Sequence, residues 1–331
     1  MSFNFREAKR EGVSLIVGLA GGTGSGKTLS ALKLGKGMSD GAPFAFIDTE
    51  SGRGLFYADQ FSFRYGDLKP PFRPDAYAEA IKAADDAKFP VVIVDSFSHS
   101  WAGEGGVLDW QEEELDRMAG QDWKKREACK MAAWIKPKMS MKAMVQRLLQ
   151  VRAHLIICLR AEQRIEMVRG ADGKMEIREK QSLTGLNGWI PVCEKSLPFE
   201  MTASLLLTAD RPGIPQPIKL MDVHRPFFPL DAPITEASGA RLAAWAKGGA
   251  GAPTDAAAPI DWIARINSAA TKTALQAVGK QLKAAKDTMP PDELETLRAA
   301  YDARLTAIGA AKPTHAMDPV AARDIDWRES H

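Results

Sequence analysis

The segment GGTGSGKT, residues 21–28, has the residue types and the spacing needed to hold a phosphate chain. Gly21, Gly26, Lys27 and Thr28 fit the GxxxxGK(S/T) pattern in full. Small residues let backbone N–H groups turn inward around phosphate oxygens, and a helix beginning near Lys27 adds a favourable dipole. We therefore expect a nucleotide site built by Gly21, Gly22, Thr23, Gly24, Ser25, Gly26, Lys27 and Thr28.

Three side chains predict how a triphosphate and its metal would be held. Lys27 should reach the β- and γ-phosphates, and the Thr28 hydroxyl should ligate Mg²⁺. Asp95 ends the apolar run VVIVD, and an acid at the carboxyl end of a parallel strand points into the crevice where ligands bind. ATP and Mg²⁺ are the predicted cofactors, with Thr28 and Asp95 at the metal. The alternative is a glycine-rich turn that holds no ligand.

A general base is expected just past a second apolar run. Asp48 and Glu50 lie in the segment FIDTE. Glu50 is the preferred catalytic candidate because it lies beyond the strand end, where a side chain faces the γ-phosphate and can deprotonate an attacking water. The alternative interpretation is that Glu50 caps the next turn, ESGRG.

Apolar runs and helical patterns alternate along the chain and must position these side chains. Runs rich in β-branched residues predict strands buried on both faces at 14–20, 43–50, 90–96 and 154–160. Helical patterns lie between them, and further strands are expected at 200–209 and 216–223. The alternation predicts an α/β fold with a mainly parallel central sheet and right-handed crossovers.

Composition limits the classes of protein that this chain can be. The 331 residues allow one large α/β domain plus a smaller region, and a net charge of +2 excludes a uniformly basic DNA coat. Cys129, Cys158 and Cys193 form no CxxC pair, which favours buried thiols in a reducing cytosol. No apolar run reaches the roughly 18 residues of a membrane span. A cytoplasmic protein without membrane contact is expected.

A composition change near residue 248 predicts how the chain is divided. The core is expected at 1–247, and the segment rich in Gly, Ala and Pro at 248–259 is typical of a flexible linker. Residues 260–311 predict a helical pair with apolar residues at helical spacing, and 312–331 predict a disordered tail.

Several of these segments resemble a known family. GGTGSGKT, FIDTE and VVIVDS resemble the ATPase core of RecA-type recombinases, in which the Glu of D-x-E is the hydrolytic base. DTESGRGLFYA, PPFRPDAYAEAIKAA, VIVDSFSHSWAGEGGVLD and HLIICLRAE resemble phage-encoded, core-only RecA-like ATPases linked to single-strand annealing and recombination. The resemblance covers about residues 12–247. It implies a RecA-like P-loop NTPase core, ATP and single-stranded DNA binding, and a homo-oligomeric filament or ring. For a phage-encoded protein it implies the bacterial host cytoplasm.

The resemblance also implies a cation, near the end of a late core strand, that reaches the ATP of a neighbouring subunit. The corresponding stretch, IKLMDVHRPFFP, offers Lys219, His224 and Arg225, although their spacing departs from the family pattern. Arg225 is the candidate for this trans-acting catalytic finger, which would stabilise charge developing on the γ-phosphate. The alternative is a surface arginine that follows a strand.

Charge is sorted into two blocks in the middle of the chain. Residues 104–116 hold six acids and no base, whereas 117–152 hold ten Lys or Arg against two acids. The basic block also carries Trp123 and Trp134, and cations combined with aromatic rings suit single-stranded nucleic acid. Its DNA-binding candidates are Lys124, Lys125 and Arg126. The alternative is a solvated basic helix whose tryptophans point into the core.

A second DNA-binding candidate is the segment 160–188, with Arg164, Arg169 and Lys174 as its proposed contacts. An Asp-Gly turn within MVRGADGKMEI predicts a hairpin. The glutamine that senses the γ-phosphate in RecA-type proteins is not evident here, and Arg160 or Gln163 are its possible substitutes. Because acids alternate with the cations, an ordinary surface hairpin is the alternative.

The preferred functional hypothesis is an ATPase that assembles on single-stranded DNA and promotes annealing or exchange, with ATP at subunit interfaces. A single-strand-binding protein or another recombination protein is a further expected partner. The alternatives are a small-molecule P-loop kinase and an adaptor that binds ATP without hydrolysing it. The basic block at 117–152 favours the DNA-binding hypothesis over the kinase.

Overall fold

The computed structural model divides the chain into two units, Met1–Asp255 and Ala256–His331. A mainly parallel sheet dominates the larger unit. The structure describes residues 5, 7–169, 175–179, 188–248, 262–269, 275–276, 278–279, 282–283 and 291–310. Most of the predicted linker 248–259 and all of the predicted tail 312–331 lie outside these residues.

The strands of the larger unit are three to ten residues long, the usual range in globular proteins. They are β1 (Ile16–Gly21), β2 (Phe44–Asp48), β3 (Phe63–Asp67), β4 (Val91–Asp95), β5 (His154–Gln163), β6 (Ile165–Arg169), β7 (Met175–Glu179), β8 (Trp189–Pro191), β9 (Ala203–Thr208) and β10 (Arg211–Lys219).

The sheet order is β10-β9-β1-β5-β4-β2-β3, and every neighbouring pair is parallel except β10 with β9. The short strand β8 pairs antiparallel with the far end of β5, and β6 and β7 form a separate antiparallel hairpin. The strand before the phosphate loop and the strand that ends in Asp95 both flank β5. The carboxyl ends of β1, β2, β4 and β5 therefore meet at one edge of the sheet, where ligands bind in such folds.

Helices form most of the remaining described structure of both units, and those of the larger unit flank its sheet. They are α1 (Lys27–Met38), α2 (Pro74–Asp86), α3 (His99–Ala102), α4 (Val107–Ala119), α5 (Trp123–Cys129), α6 (Ile135–Leu148), α7 (Leu197–Glu200), α8 (Glu236–Ala246), α9 (Trp262–Ser268) and α10 (Pro291–Ala310). Short 3₁₀ helices lie at Arg53–Tyr57, Ala132–Trp134 and Arg225–Phe227.

Burial explains why the apolar runs become the central strands. All residues of β1, β2, β4 and β9 are buried, so each strand contributes side chains to the cores on both faces of the sheet. Parallel sheets need this double cover because their crossovers place helices on both sides. The predicted α/β fold with a mainly parallel sheet and a helical region near the C-terminus is confirmed.

Three edge features differ from the sequence prediction. The strands β3 and β8 are not predicted, and β10 begins earlier than the predicted run at 216–223. Three of the five residues of β3, FRYGD, are charged or glycine, and the strand lies at the sheet edge, where an apolar pattern is not required. The prolines of β10 are tolerated because β10 is also an edge strand and its register with β9 is irregular.

The smaller unit contains α9 and α10, which share an apolar cluster. Trp262, Ile266, Leu275 and Leu297 are buried in it, as their helical spacing predicts, whereas Ile263 is exposed. No described helix of either unit is long and apolar enough to cross a membrane.

Candidate functional site

The loop between β1 and α1 has the backbone geometry of a phosphate cradle. Gly24 and Gly26 have φ angles of 76° and 80°, in the left-handed region that favours glycine. A Cβ on Gly26 would also lie 3.1 Å from the backbone nitrogen of Gly213. The Ser25 hydroxyl, which is fully buried, donates to the Gly22 carbonyl over 2.8 Å and braces the loop. The predicted glycines are thus needed for the backbone path itself.

Lys27 and Thr28 begin α1 and point toward the strand ends. Lys27 Nζ donates to the Gly22 carbonyl over 2.8 Å, so its ammonium lies over the loop. Thr28 Oγ1 donates to Asp95 Oδ2 over 2.6 Å. The structure therefore brings together the two residues predicted to hold the metal, although they are 67 positions apart in the chain.

Asp95 is a buried carboxylate with only 6% of its surface exposed. Burial, helped by the nearby Glu50 charge, outweighs the hydrogen bond from Thr28 and raises the pKa of Asp95 to about 6. A buried carboxylate next to a hydroxyl is an oxygen donor set that suits Mg²⁺. These residues fit a magnesium ion bound beside a nucleotide.

The turn after β2 is held by Asp48 and not by Glu50. Asp48 Oδ1 accepts from the backbone nitrogen of Glu50 over 2.5 Å, and Asp48 Oδ2 accepts from that of Gly54 over 2.9 Å. Asp48 is 1% exposed and satisfies two backbone N–H groups, of which that of Gly54 is buried. The alternative in which Glu50 caps this turn does not occur, because Asp48 makes those bonds and the Glu50 side chain enters the cavity instead.

Glu50 is held by two arginines. Its Oε1 accepts from Arg160 Nη2 over 2.8 Å and from Arg160 Nε over 3.1 Å, while its Oε2 accepts from Arg53 Nη1 over 2.9 Å. Burial raises the pKa of Glu50, but the hydrogen bonds and charge of Arg160 and the charge of Arg53 outweigh burial and leave the pKa lowered. Glu50 is therefore an anion at neutral pH, which is the form that a general base requires.

These side chains line one open cavity of about 610 Å³. This volume is within the range of small-molecule and nucleotide sites. The lining comprises the whole phosphate loop, the two acids described above, and residues from three neighbouring segments. Its members are Gly21, Gly22, Thr23, Gly24, Ser25, Gly26, Lys27, Thr28, Leu29, Glu50, Arg53, Tyr57, Asp95, Arg160, Ala161 and Glu162.

Sequence reasoning missed part of this lining. Arg53 and Tyr57 were not among its candidates, and Arg160 was considered only as a sensor. Arg53 lies three residues after Glu50 in ESGRG, a spacing that allows an ion pair across one turn. Arg160 pairs in register with Gly21 across β1 and β5. The strand order, which the sequence does not give, decides that proximity.

A hydrogen-bonded network joins the segments that follow β2 and β4 next to the cavity. Thr49 Oγ1 donates to the Ser96 carbonyl over 3.0 Å, accepts from the Ser96 nitrogen over 2.9 Å, and lies 2.8 Å from His99 Nδ1. The His99 ring stacks on Phe72 with centroids 5.0 Å apart. Burial lowers the pKa of His99, and the charge of Arg160 lowers it further. These contacts support a structural role for His99.

The three late cations have different environments. Lys219 Nζ donates to the carbonyls of Phe199 and Met201, each over 2.6 Å, and His224 is 1% exposed. Arg225 is half exposed, with its Nε 3.5 Å from Asp222 Oδ1, and it does not line the cavity of its own chain. Of the three, Arg225 is accessible to a second copy, and its trans-acting role stays a prediction.

The basic block at 117–152 is partly neutralised by the acidic block that precedes it. Arg126 forms ion pairs with Asp116 and with Glu112, the latter over 2.7 Å. Glu114 likewise binds Arg117 over 2.8 Å and Lys136 over 3.0 Å, with its other oxygen. Acids of α4 therefore pair with Arg117 on the same helix and with cations of the later helices α5 and α6, and Arg126 is committed to an intramolecular pair.

The remaining predicted DNA contacts are more accessible. Lys124 and Lys125 are exposed at the start of α5, and Lys124 Nζ lies 5.6 Å from the ring centre of Trp123. Trp123 is 72% exposed, whereas Trp134 is partly buried and stacks on Trp101 with centroids 6.2 Å apart. The alternative of buried tryptophans thus holds for one ring only.

The second candidate segment forms the hairpin of β6 and β7. Arg169 pairs with Met175 at its described end, and residues 170–174, including Lys174, lie outside the described residues. Arg164 and Arg169 are exposed, and Arg164 Nη2 is 3.8 Å from Glu162 Oε2. This hairpin follows β5 directly, so it is continuous with the strand that carries Arg160.

We predict that Asp48→Ala destabilises the larger unit, although the substitution leaves the predicted ligand residues Lys27, Thr28 and Asp95 unchanged. The buried N–H group of Gly54 and the partly buried N–H group of Glu50 would be left without an acceptor. Such changes cost about 2–4 kcal/mol of the free energy of unfolding in total. Urea unfolding of the two proteins measures this difference. The exposed Asp59 is the matched control, and Asp59→Ala should change the free energy by less than about 0.5 kcal/mol. Equal effects of the two substitutions would contradict the role given to Asp48.

Comparison with known proteins agrees with this geometry. Residues 14–190, more than half of the 331 residues, match the family model described as an AAA domain. The matched region contains the phosphate loop together with Glu50, Asp95 and Arg160. A comparison with curated proteins finds no match.

Proposed function

Because the chain belongs to the AAA domain family of P-loop ATPases, we propose that it hydrolyses ATP with Mg²⁺ and that single-stranded DNA stimulates this reaction. We further propose that it acts as a homo-oligomer, in a filament or ring, in phage-type strand annealing or exchange. The observation that carries the ATPase proposal is the convergence of Lys27, Glu50 and the Thr28–Asp95 pair on one cavity. The DNA-related part rests on the sequence resemblance and on the hairpin.

The residues of the cavity supply each role that phosphoryl transfer to water requires. Lys27 would hold the β- and γ-phosphates, and Thr28 and Asp95 would hold the metal. Mg²⁺, when bound, neutralises charge on the phosphate oxygens. Glu50 would accept a proton from water as the water oxygen bonds to the γ-phosphorus. The bond between that phosphorus and the β–γ bridging oxygen then breaks, which releases ADP and phosphate.

Phosphate release from ATP tests this function against its rivals. We expect turnover that requires Mg²⁺ and that rises when a single-stranded oligonucleotide is added. A small-molecule kinase would transfer the phosphoryl group to a metabolite and would not respond to DNA. An adaptor would bind ATP with negligible turnover, also with DNA present. Either of these results would overturn the proposal.

The connection between β5 and the hairpin supports a DNA contact at the hairpin. The strand β5 carries Arg160 in the cavity and leads through Arg164 into β6. The hairpin exposes Ile165, Met167 and Met175, each more than half. Beside these apolar side chains, the exposed cations Arg164 and Arg169 suit the phosphates of a single strand. A contact at this hairpin would therefore act on the strand that lines the nucleotide cavity.

Two double variants distinguish the candidate DNA sites. Arg164→Ala with Arg169→Ala should weaken oligonucleotide binding and lower its salt slope by about 0.7 for each DNA phosphate that is no longer neutralised. Lys124→Ala with Lys125→Ala should change the oligonucleotide affinity and its salt slope less than the hairpin variant does. The exposed pair Lys69→Ala with Lys82→Ala is the control. Fluorescence anisotropy at several salt concentrations measures the slope. A larger loss of oligonucleotide binding in the α5 variant would place the DNA site on α5. If neither double variant changed oligonucleotide binding, DNA binding by the hairpin and by α5 would be refuted.

A further inference from the structure

Arg160, which the sequence suggests only as a sensor of the γ-phosphate, occupies a place in the fold that suits a more direct role. It lies near the end of the buried part of β5, in register with Gly21, the last residue of β1 before the phosphate loop turns. Its backbone nitrogen donates to Ser98 Oγ over 2.8 Å, which ties β5 to the segment that follows Asp95. The main chain of Arg160 is thus fixed beside the phosphate loop on one side and the predicted metal carboxylate on the other.

The Arg160 side chain points into the nucleotide cavity of its own chain. It lines the same space as Lys27 and Asp95, and 52% of the side chain is exposed. Two of its N–H groups bind Glu50 Oε1, and a guanidinium has five donors in a planar fork. The planar fork matches phosphate oxygens as well as it matches a carboxylate.

Arg53 allows Arg160 to change partners without leaving Glu50 unpaired. Arg53 Nη1 binds the other oxygen of Glu50 over 2.9 Å. If Arg160 turned to a phosphate, Glu50 would keep this second cation and would lose the one that holds its pKa lowest. The same movement would place positive charge on the phosphate and make Glu50 a stronger base.

We propose that Arg160 is a catalytic arginine that acts in cis, on the charge that develops at the γ-phosphate in its own chain's site. This inference rests on the proposed ATP hydrolysis and goes beyond it. With Arg160 in this role, catalysis does not require Arg225 from a second copy. Arg225 lies outside the cavity of its own chain and next to Asp222. Arginine suits this role because it binds the equatorial phosphate oxygens through several donors at once.

Binding of a transition-state analogue tests the role of Arg160 without relying on turnover. Calorimetry with ADP and Mg²⁺, with and without aluminium fluoride, measures the preference for the analogue. We expect a preference of at least about 100-fold in the wild type, because transition-state analogues bind far more tightly than ground-state ligands. Arg160→Ala should lose most of this preference and keep its affinity for ADP. Arg152 is exposed and outside the cavity, so Arg152→Ala is the matched control and should keep both. An unchanged preference in Arg160→Ala would overturn the inference.

A positioning role through Glu50 predicts a different result. If Arg160 acted only by orienting Glu50, then Arg160→Ala would have no further effect on analogue binding in a Glu50→Gln background. We expect the preference to fall in that background as well. Arg160→Lys keeps the charge without the fork and should recover only a small part of it. Full recovery by lysine, or no effect in the Glu50→Gln background, would refute a direct contact with phosphate.

Subunit mixing decides between action in cis and in trans. Arg160→Ala should lower kcat by about 10³-fold or more, and Lys27→Ala should abolish turnover. A mixture of these two variants contains no chain with both residues intact, so we expect it to stay inactive. Recovery of activity on mixing would place Arg160 in a neighbour's site.

If wild-type protein hydrolyses ATP and Arg160→Ala does so equally well, only the inference fails. If wild-type protein shows no turnover, the proposed function fails with it.

Discussion

Lys27→Ala is expected to abolish ATP turnover and to weaken ATP binding by about 100-fold or more, which corresponds to about 2.7 kcal/mol. Lys27 is the cation of the phosphate loop, and its Nζ lies within hydrogen-bonding distance of the Gly22 carbonyl. Without it, the β- and γ-phosphates would lose the cation of the loop itself, in a cavity where Arg53 and Arg160 are already paired with Glu50. Repulsion by Glu50 and Asp95 would then be less well compensated at the loop.

Calorimetric titration with Mg·ATP and a phosphate-release assay measure the two effects of Lys27→Ala. Lys33 lies on the same helix, half-buried and outside the cavity, so Lys33→Ala is the matched control and should bind and hydrolyse ATP normally. A loss that is equal in both variants would indicate damage to α1. Normal turnover in Lys27→Ala would contradict a triphosphate held by this loop.

Glu50→Gln is expected to lower kcat by about 10²- to 10⁴-fold while ATP affinity changes by less than about threefold. Glutamine has nearly the same shape but cannot accept a proton from water. It also loses the ion pairs with Arg53 and Arg160, so these cations remain available to the phosphates. The substitution should thus separate hydrolysis from binding, which Lys27→Ala cannot do.

Single-turnover hydrolysis and equilibrium ATP binding together test the role of Glu50. Glu162 also lines the cavity and is exposed, so Glu162→Gln is the matched control and should change kcat only slightly. Two results would contradict Glu50 as the base. One is an unchanged rate in Glu50→Gln, and the other is a greater loss in Glu162→Gln.

The core of the fold could be predicted because local pattern and tertiary role coincide there. The run VVIVD is apolar throughout until its final acid, and a strand buried on both faces needs no other property. The phosphate loop is predictable for a related reason, since Gly24 and Gly26 are required by the backbone path whatever surrounds them. Edge strands such as β3 are different because solvent on one side relaxes the pattern.

The charged blocks show what tertiary packing adds to a charge pattern. The excess of cations at 117–152 predicts a DNA-binding surface, and within this block Arg126 and Lys136 bind acids of α4. Opposite charges attract across space, so two blocks of opposite sign on neighbouring helices neutralise each other when they pack together. The order of charges along the chain carries no information about that packing.

The amino-acid sequence by itself determined the phosphate loop, the α/β class and the acids at the strand ends, because each depends on residues adjacent in the chain. Only the tertiary structure decided that Asp48 holds the turn, that Glu50 is free to enter the cavity, and that Arg160 lies beside it. The physical reason is the strand order. Placing β5 between β1 and β4 brings Glu50 and Arg160, 110 positions apart, within hydrogen-bonding distance, and no local pattern encodes that choice.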